Sequence, residues 1–246
     1  MTTSGTVAFN PELNELIEEA FERCGLEIRT GYEHRTARRS LNLMFTEWAN
    51  RGINLWTIEQ GQIALTTGTI TYALPVDTVD LIEQVIRTQS GIPQTDINIS
   101  RISIDTYATI PNKNAQGRPI QVWINRQSGQ TYPAGGRPNG ANPSTGVLPP
   151  NINVWPVPNQ DNYYTFVYWR LRRMQDAGTG SNVQDIPFRL INCLVSGLAY
   201  YISMKIPDAA NRMAGLKQIY DEQLQLALDE DREKAPLRIA PRQMFF

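Results

Sequence analysis

The sequence predicts an α+β fold: N- and C-terminal helices forming a helical bundle, a central antiparallel β region, and an extended C-terminal arm. Three observations predict it. Apolar residues recur at helical spacing in residues 1–60 and again in 178–235. Across 61–177 they alternate with a period of two or fall in short β-branched and aromatic runs. Pro236 and Pro241 then forbid a helix in 236–246.

Asn10-Pro11 reads as a cap followed by proline at the first helical position. Leu13, Leu16, Ile17, Ala20, Phe21 and Cys24 mark one helical face, and Gly25 stops the run. Thr30 and Glu33 fit a capping box. The next helix carries Ala37, Leu41, Met44, Phe45 and Trp48 on one face and ends at Arg51-Gly52. Ile63 and Leu65, then Ile70, Tyr72 and Leu74, alternate about a turn at Thr67-Gly68, which predicts a hairpin ended by Pro75. Strand-like runs follow at 81–87, 97–104, 120–126, 152–155 and 163–171, with a short helical turn near 105–110. Residues 127–150 hold five glycines and five prolines and predict a long projecting loop. Such a loop is either a tolerated surface insertion or a contact arm to a neighbouring subunit. Helical period returns at Pro187, where Phe188, Ile191, Leu194, Val195, Leu198 and Ile202 define a strongly apolar face. Pro207-Asp208 breaks and caps. A last helix runs to Lys234 with Met213, Leu216, Tyr220, Leu224 and Ala227 inward.

A chain of 246 residues, 41% apolar, suffices for one large domain or two small ones. A formal net charge of −1 and a pI near 5.9 argue against a dedicated nucleic-acid binder. No run of about 18 apolar residues occurs, so no membrane span is expected. The opening Met1-Thr-Thr-Ser-Gly-Thr has neither the basic region nor the apolar core of a signal peptide. Cys24 and Cys193 both fall on apolar helical stripes and read as small core residues, as in a reducing cytosol, not as a disulfide or a metal pair.

The inventory of chemistry is thin. The single histidine, His34, lies between Glu33 and Arg35 at a helix start and reads as a solvated side chain. Gly178-Thr-Gly-Ser181 lacks the Gly-Lys-Ser/Thr of a P-loop. Arg35, Arg38 and Arg39 cluster on one helix, and Arg170, Arg172 and Arg173 end a strand. Either set could meet phosphates, pair with nearby acids or cross an interface. No catalytic, cofactor-binding or metal-binding residue is assigned, and a structural protein is the favoured reading over an enzyme.

The last eleven residues, Pro236-Leu-Arg-Ile-Ala-Pro-Arg-Gln-Met-Phe-Phe246, carry no acid, two arginines and five sizeable apolar side chains. Ordering a residue costs about 1–2 kcal/mol, and each buried apolar side chain returns about 1.5–3 kcal/mol. Five such side chains in eleven residues do not fold a tail alone. The segment is either a frayed terminus or an arm built to lie on another protein and be ordered there. On the second reading Leu237, Arg238, Ile239, Arg242, Met244, Phe245 and Phe246 are the partner-binding residues.

The order of motifs adds to this. The N-terminal helix 11–24 precedes a helix ending Trp48-Ala-Asn-Arg-Gly-Ile-Asn-Leu-Trp56. Leu65-Thr-Thr-Gly-Thr-Ile-Thr-Tyr-Ala-Leu-Pro75, Gly117-Arg118-Pro119 before a strand, and Asn153-Val-Trp-Pro-Val-Pro158 follow. Gly197-Leu-Ala-Tyr200 sits in the first C-terminal helix, and Pro236-Leu-x-Ile-x-Pro241 opens the tail. In this order and spacing, over most of its length, the chain resembles the head-to-tail adaptors of short-tailed phages, the tail tubular protein A-like and tail-accessory-factor family. The loop 127–150 is longer than that family's pattern.

The resemblance implies a ring homo-oligomer, dodecameric, in the neck of a virion and assembled in the host cytoplasm. It implies a portal protein on one side, a tail nozzle protein on the other, and genomic DNA passing through the lumen without sequence-specific binding. The helical bundle would form the ring body, and the C-terminal arm would reach the portal. Near-neutral charge suits a channel, since tightly held DNA could not slide. A second class stays open at this point: a receptor- or carbohydrate-binding tail component using Trp123, Tyr132, Trp155, Tyr163, Tyr164 and Trp169 as stacking surfaces. A hydrolase hidden in the β region is the third.

Overall fold

Helix α1 (Leu13–Cys24) buries the apolar stripe its sequence marks, and Gly25, at φ 75°, ends it in the left-handed conformation. The computed structural model describes Gly5 and residues 9–88, 94–126 and 149–232. The N-terminus of α1 departs from expectation, because Glu12, not Asn10, is its cap. The backbone N–H groups of Leu13 and Asn14 donate to the carbonyls of Asn182 and Gly180, both at 3.1 Å. Glu12 and Glu15 complete a capping box. A segment distant in sequence thus satisfies the free helix donors that a local asparagine was expected to meet.

Helix α2 (Gly31–Arg51) starts at the expected Thr30–Glu33 capping box and stops at Gly52. After the β-rich middle of the chain come α4 (Ile191–Ser203) and α5 (Met213–Glu230), each preceded by a 3-10 turn. The first turn, Phe188–Leu190, leaves Phe188 exposed, and Met213 opens α5 exposed, so neither is the core residue that the periodicity predicts. A helix start lacks the preceding turn that would cover its first side chains. The last helix also ends at Glu230, short of Lys234, with Asp231 as its cap.

Residues Met1–Trp56 and Met174–Phe246 form one compact unit, and Thr57–Arg173 a second. In the first, α4 is the central element. Seven consecutive residues from Cys193 to Ala199 are buried, as befits a helix that is apolar all round. Helices α1, α2 and α5 each pack on it. Gly197 leaves the room this packing needs: a Cβ there would stand 2.4 Å from Met44 Sδ and 2.7 Å from the Tyr220 ring. Trp48, fully buried, donates its indole N–H to the Tyr220 hydroxyl at 3.1 Å, which satisfies the one polar atom it brings inside.

The second unit is two four-stranded sheets sharing one core. The first has the order β1 (Ile58–Ala64), β10 (Tyr164–Arg172), β3 (Thr78–Thr88), β4 (Thr95–Asn98), antiparallel throughout. The second has the order β2 (Thr71–Ala73), β8 (Asn151–Trp155), β7 (Gln121–Asn125), β5 (Ser100–Ile102). Here β5 runs parallel to β7, as does the two-residue pair β6 (Gln116–Gly117) and β9 (Val157–Pro158), so the region is not wholly antiparallel. Helix α3 (Ile104–Thr109), capped by Ser103, follows β5. Leu81, Ile86 and Phe166 of the first sheet meet Val122, Ile152 and Val154 of the second.

The expected hairpin at Thr67-Gly68 is a corner between the sheets. β1 pairs with β10 and β2 with β8, never with each other. Leu65 is fully buried, and its N–H is taken by the Tyr164 carbonyl at 2.8 Å. The Tyr72 hydroxyl then binds both the N–H and the carbonyl of Thr66, at 2.9 and 3.0 Å, and fixes the bend. The run 97–104 is likewise divided. Buried Ile99 is the pivot from which the chain passes from β4 in one sheet to β5 in the other.

At one end of this unit the strand-end arginines find acids. The Arg170 side chain, 11% exposed, meets Asp77 Oδ1 at 2.5 Å and Glu59 Oε2 at 2.8 Å. It also donates to Thr78 Oγ1 at 2.9 Å, while Arg172 Nε meets Glu59 Oε1 at 2.6 Å. The Arg170 guanidinium holds the Asp77 carboxyl below its ordinary value of 3.8. Between those two values the unfolded chain binds the proton more readily. The stabilisation is therefore whole above pH 3.8 and is lost as pH falls through the lowered value.

Two outcomes are expected. Leu194→Ala, at a fully buried position in α4, should cost about 2–5 kcal/mol in denaturant unfolding. Arg170→Met should cost about 1–3 kcal/mol at neutral pH by leaving acids without their donor. It should also flatten the loss of stability on acidification, as measured by unfolding curves across a pH series.

Candidate functional site

The two cysteine thiols are held unreactive by their surroundings. Burial pushes the Cys24 thiol up to about 11 and the Cys193 thiol up to about 12. Both cysteines are free and buried, and Cys24 donates to the Ala199 carbonyl at 3.2 Å. His34 is half-buried near the start of α2. Among the described residues no group of three or more His, Cys, Asp or Glu side chains could hold a metal ion.

The arginine clusters are absorbed mainly by the protein itself. Arg38 donates to the carbonyls of Gly178 and Thr179, at 3.3 and 2.9 Å. Arg170 and Arg172 take the acids described above. Asp80 receives Arg101 at 2.9 Å and Arg126 at 3.1 Å. Arg35 and Arg39 differ, for they stay exposed on the outer side of α2.

The aromatic residues of the β unit serve internal packing. Tyr107 of α3 stacks on Trp123, with centroids 5.2 Å apart. The Trp155 indole donates to the Asn112 carbonyl at 3.0 Å. Tyr164 is buried with Tyr163 edge-on at 4.9 Å, and Trp169 is half-buried on β10. Tyr132 lies outside the described residues. Among the described residues, those of this set are divided between the two sheets: Trp123 and Trp155 on β7 and β8, Tyr164 and Trp169 on β10.

What the helical unit does present is an apolar groove between α1 and the start of α4, a cavity of about 540 Å³. Phe9 and Phe188, 63% and 66% exposed, stand edge to face at its mouth with centroids 6.3 Å apart. Leu16, Ile191 and Val195 line it below. Glu15 and Glu19 form the rim on α1, with Glu19 paired to Arg23 at 2.8 Å, and Arg189 forms the rim opposite. Periodicity did not find this groove, because it assigned Phe188 to the core. The available signal is positional: Phe9 lies ahead of Pro11, and Phe188 directly after Pro187, each before its helix begins.

Leu237, Arg238, Ile239, Arg242, Met244, Phe245 and Phe246 lie outside the described residues, as does nearly all of the loop 127–150. The last described residues are firmly held. Asp231 Oδ2 accepts the N–H groups of Asn54 at 2.7 Å and Leu55 at 3.2 Å, tying the end of α5 to the segment that follows α2.

Among the described residues no helix is long and apolar enough to cross a membrane. Comparison with curated proteins finds no match. A family model described as SU10 adaptor protein matches residues 13–240, a span that includes every described helix and sheet. The chain belongs to the SU10 adaptor protein family, a family of phage head–tail adaptors, as its motif order anticipates.

Proposed function

We propose that this chain is the connector subunit of a phage neck, a structural protein that assembles into a dodecameric ring between portal and tail. The observation that carries the reading is the family match, which spans residues 13–240, from α1 past the end of α5. On this reading α1, α2, α4 and α5 act as one bundle and form the ring body. The portal protein binds one side and the tail nozzle protein the other, and the genome passes through the lumen. A net charge of −1 supports a conduit over a DNA clamp, because each phosphate neutralised by a fixed cation adds a salt-dependent hold on DNA. Assembly takes place in the host cytoplasm, and the mature location is the virion neck.

The portal contact is assigned to the C-terminal arm. Phe245 and Phe246 act as anchors, as buried aromatics commonly dominate interface energy. Leu237, Ile239 and Met244 fill lesser pockets. Arg238 and Arg242 pair with portal carboxylates at the rim, where they set register more than affinity. An extended segment also offers main-chain hydrogen bonds to the edge it lies on. Asp231 gives the arm a fixed point of departure.

The test is binding to purified portal. The intact chain should join the portal as a ring, read by native mass. A chain truncated after Ala235 should melt as the intact chain does yet fail to bind in pull-down. Undiminished binding of the truncated chain overturns the role of the arm. An intact chain that stays monomeric with portal present overturns the connector itself.

A further inference from the structure

Helix α4 is the reference for locating two faces of the helical unit. At 100° per residue, Asn192 and Val195, which line the groove, fall on one side of α4. Gly197, which touches Met44 of α2, and Tyr201, whose hydroxyl binds Glu47 of α2 at 2.5 Å, fall on the other. Helix α2 therefore covers the side of α4 opposite the groove. Its own outward stripe, at i, i+3, i+7 and i+11, is Tyr32, Arg35, Arg39 and Leu43. Tyr32 is 68% and Leu43 55% exposed, and both arginines are exposed. That stripe lies away from Ala37, Leu41, Met44 and Trp48, the buried face of the same helix.

The two faces are complementary. One is an exposed row with an aromatic ring, a leucine and two cations, of which Tyr32 and Arg39 also border a hollow shared with Ile202, Lys205 and Ile206. The other is a concave apolar groove bordered by Glu15, by Glu19 paired to Arg23, and by Arg189, and beside it Glu18 and Glu22 are exposed, so that the α1 side is acidic on balance. Exposed large apolar side chains gathered on opposite sides of one unit mark association surfaces. Two different patches on opposite sides produce a head-to-tail contact, which closes into a ring when the rotation between copies allows it. We infer that the outer stripe of α2 in one copy seats in the α1–α4 groove of the next, with Arg35 and Arg39 facing the α1 glutamates. Tyr32 and Leu43 supply the apolar contact against Phe9 and Phe188. The occupant of the groove is thus a second copy of this chain, and this inference rests on the connector reading above.

Single-cysteine variants test it, because Cys24 and Cys193 are buried thiols and stay silent. Leu43→Cys and Phe188→Cys both alter exposed side chains. The two proteins are mixed, assembled on purified portal and treated with a short thiol-to-thiol cross-linker. Cross-linked dimers are expected from the mixture and from neither protein alone. Rings that form without that cross-link overturn the inference and leave the connector reading intact. Absence of rings from the unmodified chain with portal overturns both. The double variant R35E/R39E should keep its melting temperature and lose ring assembly, and an unchanged ring yield would equally overturn the proposed contact.

Discussion

The burial of α4 is the constraint on which the rest of the helical unit depends. Its run from Cys193 to Ala199 has no outward face, so it needs partners on every side. Those partners come from both ends of the chain: α1 and α2 before the β unit, α5 after it. Neither end can bury its apolar stripe without the other. Gly197 lets Met44 and Tyr220 close on α4 together, from α2 and from α5. The hydrogen bond from Trp48 to Tyr220 then joins those two helices to each other. The β unit is in effect a long insertion between two halves of one core.

Much of this was legible because its causes are local. Gly25 and Gly52 end helices by adopting φ values that other residues avoid, and Thr30 with Glu33 caps α2 within a single turn. Runs of β-branched and aromatic residues bounded by Pro, Gly, Asn and Asp located β7, β8 and β10 to within a residue or two, since such side chains fit a pleated surface wherever its partner lies. What failed was non-local. Thr67-Gly68 has the chemistry of a hairpin turn, but pairing is decided by β10 and β8, far along the chain. Ile99 cannot announce that the strands on either side of it join different sheets. The cap of α1 was misplaced because its donors are met by a loop at 180–182. The candidate surfaces were less legible still. Phe188 has the right period for α4 and the wrong position, one turn before the helix could cover it.

The charged residues point the same way as the family. In the β unit, Arg170, Arg172, Arg101 and Arg126 are each paired with an acid of the same unit. Pairs of this kind hold strands in register and leave little net field outside. Arg35 and Arg39 on α2, and Glu18 and Glu22 on α1, stand apart as exposed charges of opposite sign on separate helices. Charges arranged in this way raise association rates and reject wrong partners more than they add affinity. On the connector reading proposed above, that suits a subunit that must select its neighbour.

On the proposed contact, the interior of the helical unit also has a bearing on the ring. The number of copies in a closed ring follows from the rotation between the two faces that each copy presents. Here those faces belong to α2 on one side and to α1 with α4 on the other. The rotation between them is set by how α2 lies across α4. That crossing is held where Gly197 leaves room for the Met44 side chain, and is braced by the bond from Tyr201 to Glu47. Close-packed interiors transmit such placements with little give. A residue with no surface of its own can thereby help decide whether copies close into a ring. The same packing that lets α4 fold at all then sets the geometry by which one subunit meets the next.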